Sequence, residues 1–234
     1  MANWQLGWLL AFVAGATNAG GFLATRQYTS HMTGVVAAMA DDVALADFKA
    51  VMAGVCALSG FMLGAVVTAW LVNFARRRRW HSEYALPLLL ESGLLMMFGI
   101  AGARFRGFEA LFVSATVTLL SFMMGLQNAL ISKLSNAEIR TTHVTGVVTD
   151  LGIELGRLLY WNRDRLATPA VRADVNRLAA LAMLLVSFIL GGVSGAFGFS
   201  RFGFACVMPL AVLLASLALV PALDDWRLRE RAQP

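Results

Sequence analysis

Apolar blocks close to 20 residues long alternate with short polar connections along most of the chain. A run of about 20 apolar residues has the length that crosses the hydrocarbon core of a bilayer as a helix. Blocks of this kind occupy residues 6–24, 50–74, 85–103, 110–131, 178–199 and 202–223. Because they are continuous rather than alternating, they predict six transmembrane helices and argue against a transmembrane β-barrel.

The composition supports the same class. Hydrophobic residues make up 59% of the 234 residues and charged residues only 14%, whereas soluble domains carry about a quarter charged residues. The mean hydropathy is +0.69. The net charge of +5 does not indicate nucleic-acid binding, because most of the basic residues flank apolar blocks. We therefore expect an integral membrane protein whose first apolar block is retained as a span.

The basic residues also predict an orientation. If the N-terminus is on the inner side, the inner connections contain the run 76–79, the segment 133–177 and the tail 227–231. Together these carry most of the 19 Lys and Arg residues. Cytoplasmic connections are enriched in Lys and Arg. Both termini are therefore predicted to be cytoplasmic.

One polar motif occurs twice. The hexapeptide HMTGVV at 31–36 returns as HVTGVV at 143–148, and these copies hold two of the three histidines. Each copy follows a related phrase, GATNA at 15–19 and GLQNA at 125–129. A glycine step at 60–65 and 191–196 and a proline, Pro87 and Pro209, continue the correspondence. These landmarks predict a single membrane domain, 1–234, built from repeat 1 (about 1–104) and repeat 2 (about 105–234).

The span count predicts how the repeats are related. Three spans per repeat is an odd number, so the second repeat would enter the membrane from the opposite side. Inverted repeats of this kind are the architecture of many secondary transporters. The segment after each motif carries charges such as Asp41, Asp42 and Asp150, which are costly at a bilayer centre. The predicted fold is an all-α membrane protein of six transmembrane helices in two inverted three-helix repeats, each with a short re-entrant or interfacial helix after its motif.

The motif residues are suited to binding a solute. Thr and Gly stand where a helical pattern begins, and a helix N-terminus offers free N–H groups to an anion. Asn side chains near the ends of the first spans add donors and acceptors. The candidate binding residues are Asn18, His31, Thr33, Gly34, Gln127, Asn128, His143, Thr145 and Gly146. The same residues also suit helix capping and close packing, and the second copy has the more polar neighbours.

Three acidic residues are candidates for proton coupling. Glu91 lies inside the third apolar block, where an ionisable group is a functional candidate, although it could instead pair with the arginine run at 76–79. Asp150 and Glu154 follow the second motif on the polar face of a helical pattern. Such acids are also common on a solvated helix face.

The motifs resemble those of the YoaK family, bacterial multi-pass membrane proteins with a domain of unknown function. The phrases AGATNA at 14–19, SHMTG at 30–34, GLQNA at 125–129 and TTHVTGVVTDLG at 141–152 carry the resemblance. The chain departs from the family pattern at Asn18, where an acid is common, and at Val35, where Asn is common. The resemblance implies the bacterial inner membrane and supplies no substrate.

We therefore expect a secondary transporter or permease for a small anionic or zwitterionic solute, working by alternating access. Its expected partners are membrane lipid and that solute, and its small size is compatible with a homodimer. The sequence has no P-loop and no zinc-type Cys/His spacing, so no cofactor, metal site or catalytic residue is predicted. The alternatives are an intramembrane enzyme acting on a lipid or isoprenoid, and a partner or sensor subunit that transports nothing.

Overall fold

The computed structural model describes residues 2–80, 82–104, 109–134, 144–160 and 171–232. Every regular element in these ranges is helical, which confirms the predicted all-α class. The helices are α1 (Ala2–Thr25), α2 (Met32–Ala44), α3 (Phe48–Arg77), α4 (Ala85–Arg104), α5 (Glu109–Leu134), α6 (Val144–Leu159), α7 (Val175–Phe202) and α8 (Val207–Ala232), with a 3-10 helix (Gly203–Cys206) between α7 and α8.

Five stretches of the described chain are long and apolar enough to cross a membrane. Four of them lie in α1, α3, α4 and α5, and the fifth runs for 46 residues from Val175 to Val220. This last stretch contains α7, the 3-10 helix and the first part of α8. α7 ends before Gly203. The φ of Gly203 is 58°, a left-handed backbone angle that glycine adopts without strain. The prediction of a multi-pass membrane protein is confirmed.

Glycines bring α1 and α7 into backbone contact. A side chain on Gly191 of α7 would overlap the carbonyl of Phe12, and one on Gly195 would overlap Ala16. Small residues allow this close approach between helices in a membrane. The contacts advance in the same direction along both helices, so α1 and α7 are parallel.

The contact between α3 and α5 is built in the same way. A side chain on Gly64 of α3 would overlap the carbonyl of Phe122. One turn further along, the Thr68 hydroxyl donates a buried hydrogen bond of 2.9 Å to the carbonyl of Leu126. These contacts also advance together, so α3 and α5 are parallel.

Two further helix pairs, α1/α5 and α4/α8, are antiparallel. On α1 and α5, the Gln127 amide donates to the carbonyl of Leu10 at 3.1 Å, whereas Gly21 lies against Leu120. On α4 and α8, one hydrogen bond sets the register. Its donor is the Ser92 hydroxyl, which gives a 2.8 Å bond to the carbonyl of Ala211 in α8.

The end of α4 then meets the chain just before α8. A side chain on Gly102 would overlap the ring of Phe204 in the 3-10 helix. The C-terminal ends of α4 and α7 therefore lie at the same end of the bundle.

The six most extensive helix pairs are preserved when the two halves of the chain are exchanged, whereas the smaller contacts of α4 with α3 and α5 have no counterpart of comparable size in the described part of the chain. If α1–α4 are replaced in order by α5–α8, the pair α1/α7 becomes α5/α3. The pairs α1/α5 and α4/α8 map onto themselves, and the packing of α2 on α3 becomes that of α6 on α7. The equivalent helices α1 and α5 run in opposite directions, as do α4 and α8.

The buried core lies where α1, α4, α5 and α8 meet, while α3 and α7 present large apolar side chains outward. Leu10, Leu88, Leu120 and Leu214 are fully buried in that core. Met62, Trp70, Leu190 and Phe197 are more than half exposed, as expected for surfaces that face lipid. This core therefore lies between the two halves of the chain.

The glycine contacts predict a sharp difference between two Gly→Ala changes. Gly125→Ala places a methyl group against the Phe61 carbonyl, and this overpacking should cost about 1–3 kcal/mol. Gly93→Ala meets nothing within 4 Å and should be neutral or stabilise by about 0.5–1 kcal/mol, because alanine favours helix. Thermal unfolding of both purified variants in detergent measures the difference. Equal midpoints would contradict the packing described here.

Candidate functional site

The chain turns back into the bundle between α1 and α2. Arg26, with φ 59°, ends α1, and the Ser30 hydroxyl then donates a 3.0 Å hydrogen bond to Oδ1 of Asn18. Asn18 lies about 10 Å along α1 from its end at Thr25, at about 1.5 Å per residue. The start of α2 is therefore held within the length of the bundle rather than at its end.

The first turn of α2 has free backbone donors. His31 is the N-cap residue, and its side chain makes no capping hydrogen bond. The first N–H groups of a helix have no partner within the helix. The imidazole of His31 folds over Gly34, where an added side chain would overlap the ring. Both features leave a partly positive helix end beside the polar imidazole ring.

A cavity of about 480 Å³ joins the starts of α2 and α6. Met32 and Thr33 line it from α2, and Thr145 and Gly146 line it from α6. Its remaining described lining residues are Asn18, Tyr28, Ser30, His31, Phe61, Val144 and Phe188. The two phenylalanines lie close to the middle of α3 and α7, so the cavity lies halfway along these helices. The two motif copies thus meet at one place.

The structure separates the predicted binding residues into two groups. Those that line the shared cavity are Asn18, His31, Thr33, Thr145 and Gly146. Gly34 lines a neighbouring apolar cavity of about 340 Å³, which it shares with His31. Gln127 and Asn128 are buried in the core and line neither of these cavities. His143 lies outside the described residues.

Six residues of the described cavity wall were not among the predicted binding residues. Met32 and Val144 lie within the two motif copies themselves. Tyr28 and Ser30 precede the first motif directly, and the turn that brings Ser30 to Asn18 has no clear sequence signal. Phe61 and Phe188 stand beside the glycine steps of α3 and α7. A large aromatic residue next to a close helix contact is the signal that could have identified them.

The acidic residues of α6 hold that helix against the start of α7. Glu154 is 1% exposed. One carboxylate oxygen accepts from the Arg157 guanidinium at 2.8 Å, and the other accepts from the backbone N–H of Asp174 at 3.0 Å. Asp150 pairs with Arg177 at 3.1 Å. These contacts anchor α6 to the start of α7, and the role of Asp150 and Glu154 in proton coupling stays a prediction.

The N-caps of α3 and α7 match each other. The carboxylate of Asp47 accepts from the N–H of Ala50 at 3.0 Å, and that of Asp174 accepts from the N–H of Arg177 at 3.0 Å. An Asp N-cap stabilises a helix by roughly 1 kcal/mol. α3 and α7, the two long helices that follow the motif helices, therefore begin with the same type of N-cap.

Glu91 lies apart from the cavity, in the core. It is fully buried, and neither carboxylate oxygen has a hydrogen-bond partner. The pairing with the arginine run that the sequence allowed is not formed, because Arg76 pairs instead with Glu83 at 2.6 Å. Among the described residues, no three His, Cys, Asp or Glu side chains cluster to offer a metal site.

Comparison with known proteins gives one family and one relative. A family model described as "Protein of unknown function (DUF1275)" matches residues 6–220. The UPF0700 transmembrane protein YoaK of Bacillus subtilis (strain 168) is 26% identical over 183 residues, which is 78% of this chain and 79% of that protein. No solved structure matches the chain.

The anchoring contacts predict unequal effects for two charge-removing changes. Glu154→Gln weakens the two hydrogen bonds that the buried Glu154 carboxylate accepts from Arg157 and from the Asp174 N–H. The change should lower the free energy of unfolding by about 1–3 kcal/mol. Asp150→Asn removes a half-exposed pair with Arg177 that is worth about 0–1 kcal/mol. Thermal unfolding in detergent compares the two variants. An equal fall of the unfolding midpoint in both would contradict the larger contribution of Glu154 to stability.

Proposed function

We propose that this chain, which belongs to the DUF1275 family of unknown function and is a YoaK-family membrane protein, is a secondary transporter for a small anionic or zwitterionic solute. One observation carries the proposal: the N-terminal ends of both motif helices open onto a single cavity halfway along the bundle. Solute sites in secondary transporters lie near the membrane midplane, where half-helix N-termini point at anionic groups.

The helix directions support inverted repeats. The corresponding helices α1 and α5 are antiparallel, as are α4 and α8, and the six most extensive helix pairs are preserved when the halves are exchanged. In this proposal α1, α3, α4, α5, α7 and α8 cross the bacterial inner membrane, with both termini in the cytoplasm. The motif helices α2 and α6 enter from opposite sides without crossing.

The cavity wall favours a solute with a negative group. His31, Thr33 and Thr145 offer side-chain donors beside two helix N-termini, each of which favours negative charge. Asn18 accepts from Ser30 through Oδ1, which leaves its NH₂ group for a ligand. None of the described lining residues is acidic. A volume of about 480 Å³ is within the range of small-molecule sites.

The glycine contacts suggest which parts move. The pair α1/α7 carries α6, and the pair α3/α5 carries α2. Each of these two units combines helices from both halves and is joined by backbone contact. Asn18, Thr145 and Phe188 line the cavity from one unit, while Thr33 and Phe61 line it from the other. Rocking of one unit against the other would open the cavity first to one side of the membrane and then to the other.

A glycine on α6 offers a test of the cavity. Gly146 lines it, and a side chain there meets nothing within 4 Å. Gly146→Leu should therefore fill the cavity, leave the fold intact and abolish solute binding. The matched control is Gly156→Leu on the same helix, which also has open space and is absent from the cavity wall.

The measurement is a thermal-shift screen with carboxylate, phosphate and amino-acid metabolites, followed by counterflow with each hit. A ligand at 100 times its Kd stabilises by about 2.7 kcal/mol. We expect this stabilisation with the parent protein and Gly156→Leu, and its loss with Gly146→Leu. Equal ligand-induced shifts in both variants would contradict the assigned site.

The proposed orientation predicts a labelling pattern. Single cysteines at Gln27 and Arg201 should react with an impermeant thiol reagent from the periplasmic side, because they lie near the common C-terminal ends of α1 and α7. Cysteines at Arg77 and Asn176 should react only after the membrane is permeabilised. Cys56 and Cys206 are replaced first. Labelling of all four positions from one side would rule out the inverted arrangement.

A further inference from the structure

Glu91 is placed where a carboxylate is costly. It shares a face of α4 with Leu88 and Leu95, which are fully buried in the core. It lies about 9 Å along the helix from Ala85, at about 1.5 Å per residue. Its carboxyl group is 0% exposed and has no hydrogen-bond partner on either oxygen. A buried ion without a partner is strongly disfavoured relative to the neutral acid.

No charge on the neighbouring helices compensates it. α3, α5, α8 and the 3-10 helix pack against α4. The described side chains of α8 include no charged residue, and Cys206 is the one titratable group of the 3-10 helix. Among the side chains of α5 that the structure describes, from Val113 to Lys133, Lys133 is the one charged residue. On α3 the titratable groups are Lys49, Cys56, Arg76 and Arg77, all of them exposed.

Two basic groups of these neighbouring helices have other partners. Lys133 donates to Asn73 at 3.4 Å, and Arg76 pairs with Glu83 in the connection before α4. Neither bond involves Glu91, so the neutral acid is the form that suits this position.

Packing does not require an acid at this position. When Pro87 of α4 is matched with Pro209 of α8, Glu91 corresponds to Leu213. Leu213 packs against the same core with an ordinary apolar side chain. The two halves therefore differ here, since the first has a carboxyl group where the second packs a leucine against the core.

Other polar atoms without a hydrogen-bond partner are buried on α1 and α5. The Thr17 hydroxyl on α1 and the Ser121 hydroxyl and Gln127 carbonyl on α5 are buried without a hydrogen-bond partner. α5 packs against both α1 and α4, and Thr17 precedes the cavity residue Asn18. These groups can donate to or accept from a proton carrier along the contact between α1 and α5.

We propose that Glu91 is a proton-binding site. In the conformation described here the group is the neutral acid. In the alternate conformation it opens to an aqueous side, where the O–H bond breaks and the proton passes to water, leaving a carboxylate. Rebinding a proton from the other side restores the acid. The coupling of this cycle to solute movement rests on the transporter proposal, whereas the protonation of Glu91 does not.

Infrared spectroscopy of the full chain in liposomes tests the protonation directly. At neutral pH the parent protein should show the C=O stretch of a protonated carboxyl group, shifted on exchange into D₂O. Glu91→Gln should lose that band, and the exposed control Glu83→Gln should retain it. If the parent protein lacks the band, or if Glu91→Gln keeps it, the proposal is wrong. Glu91→Leu, which copies the second half, provides the same comparison if Glu91→Gln does not fold.

A pH gradient tests the coupling without a known solute. Thr145→Cys, in a background without Cys56 and Cys206, reports the opening of the cavity to an impermeant maleimide. For a step with one proton, the population ratio can shift up to about tenfold per pH unit, so the labelling rate should follow an imposed gradient. With Glu91→Gln added, the rate should become independent of the gradient. A response that survives this change overturns the role of Glu91.

The two proposals can fail separately. If the infrared band and the gradient response both depend on Glu91 but no solute is transported, the proton site stands and the transporter proposal fails. If a solute is transported and the gradient response survives Glu91→Gln, the transporter stands and the proton site is wrong.

Discussion

Close backbone contact between helices of opposite halves is the constraint on which the rest of the bundle depends. Gly191 against Phe12 joins α7 to α1, and Gly64 against Phe122 joins α3 to α5. In a membrane, apolar surface alone gives helices little reason to choose one another over lipid, so close packing and hydrogen bonds select the partners. The glycines therefore determine that each unit mixes the two halves of the chain.

This arrangement places the cavity between the two units, one formed by α1, α7 and α6 and the other by α3, α5 and α2. α2 packs on α3, and α6 packs on α7. The N-cap residue of α7, Asp174, donates its N–H to Glu154 of α6. An enzyme acting on a lipid would be expected to gather its acid and base groups on one side. Here, the polar residues of the described cavity wall come from both units, and Asp150 and Glu154 are engaged in anchoring. The geometry therefore favours transport over acid–base chemistry at this site.

The sequence predicted the helices well because apolar length depends only on local composition. The glycine steps at 60–65 and 191–196, which the sequence offered as landmarks of the two halves, serve close packing, because backbone of the neighbouring helix occupies the space that a side chain would need. The sequence did not predict partner choice, since α1 could equally have packed on α3. Gln127 lines neither described cavity. It corresponds in sequence to the buried Thr17 rather than to Asn18, and neighbouring residues on a helix point about 100° apart.

The two halves contribute differently to the described cavity wall. In the sequence, the second motif has the more polar neighbours. In the structure, however, those neighbours are occupied: Glu154 anchors α6, and Gln127 bonds to Leu10. The first half supplies Asn18, Ser30 and His31 to the cavity wall. Polar groups that hold a helix in place are unavailable to a solute, so in the described part of the chain the first half contributes more of the wall's chemistry, and the second half contributes the better-anchored helix.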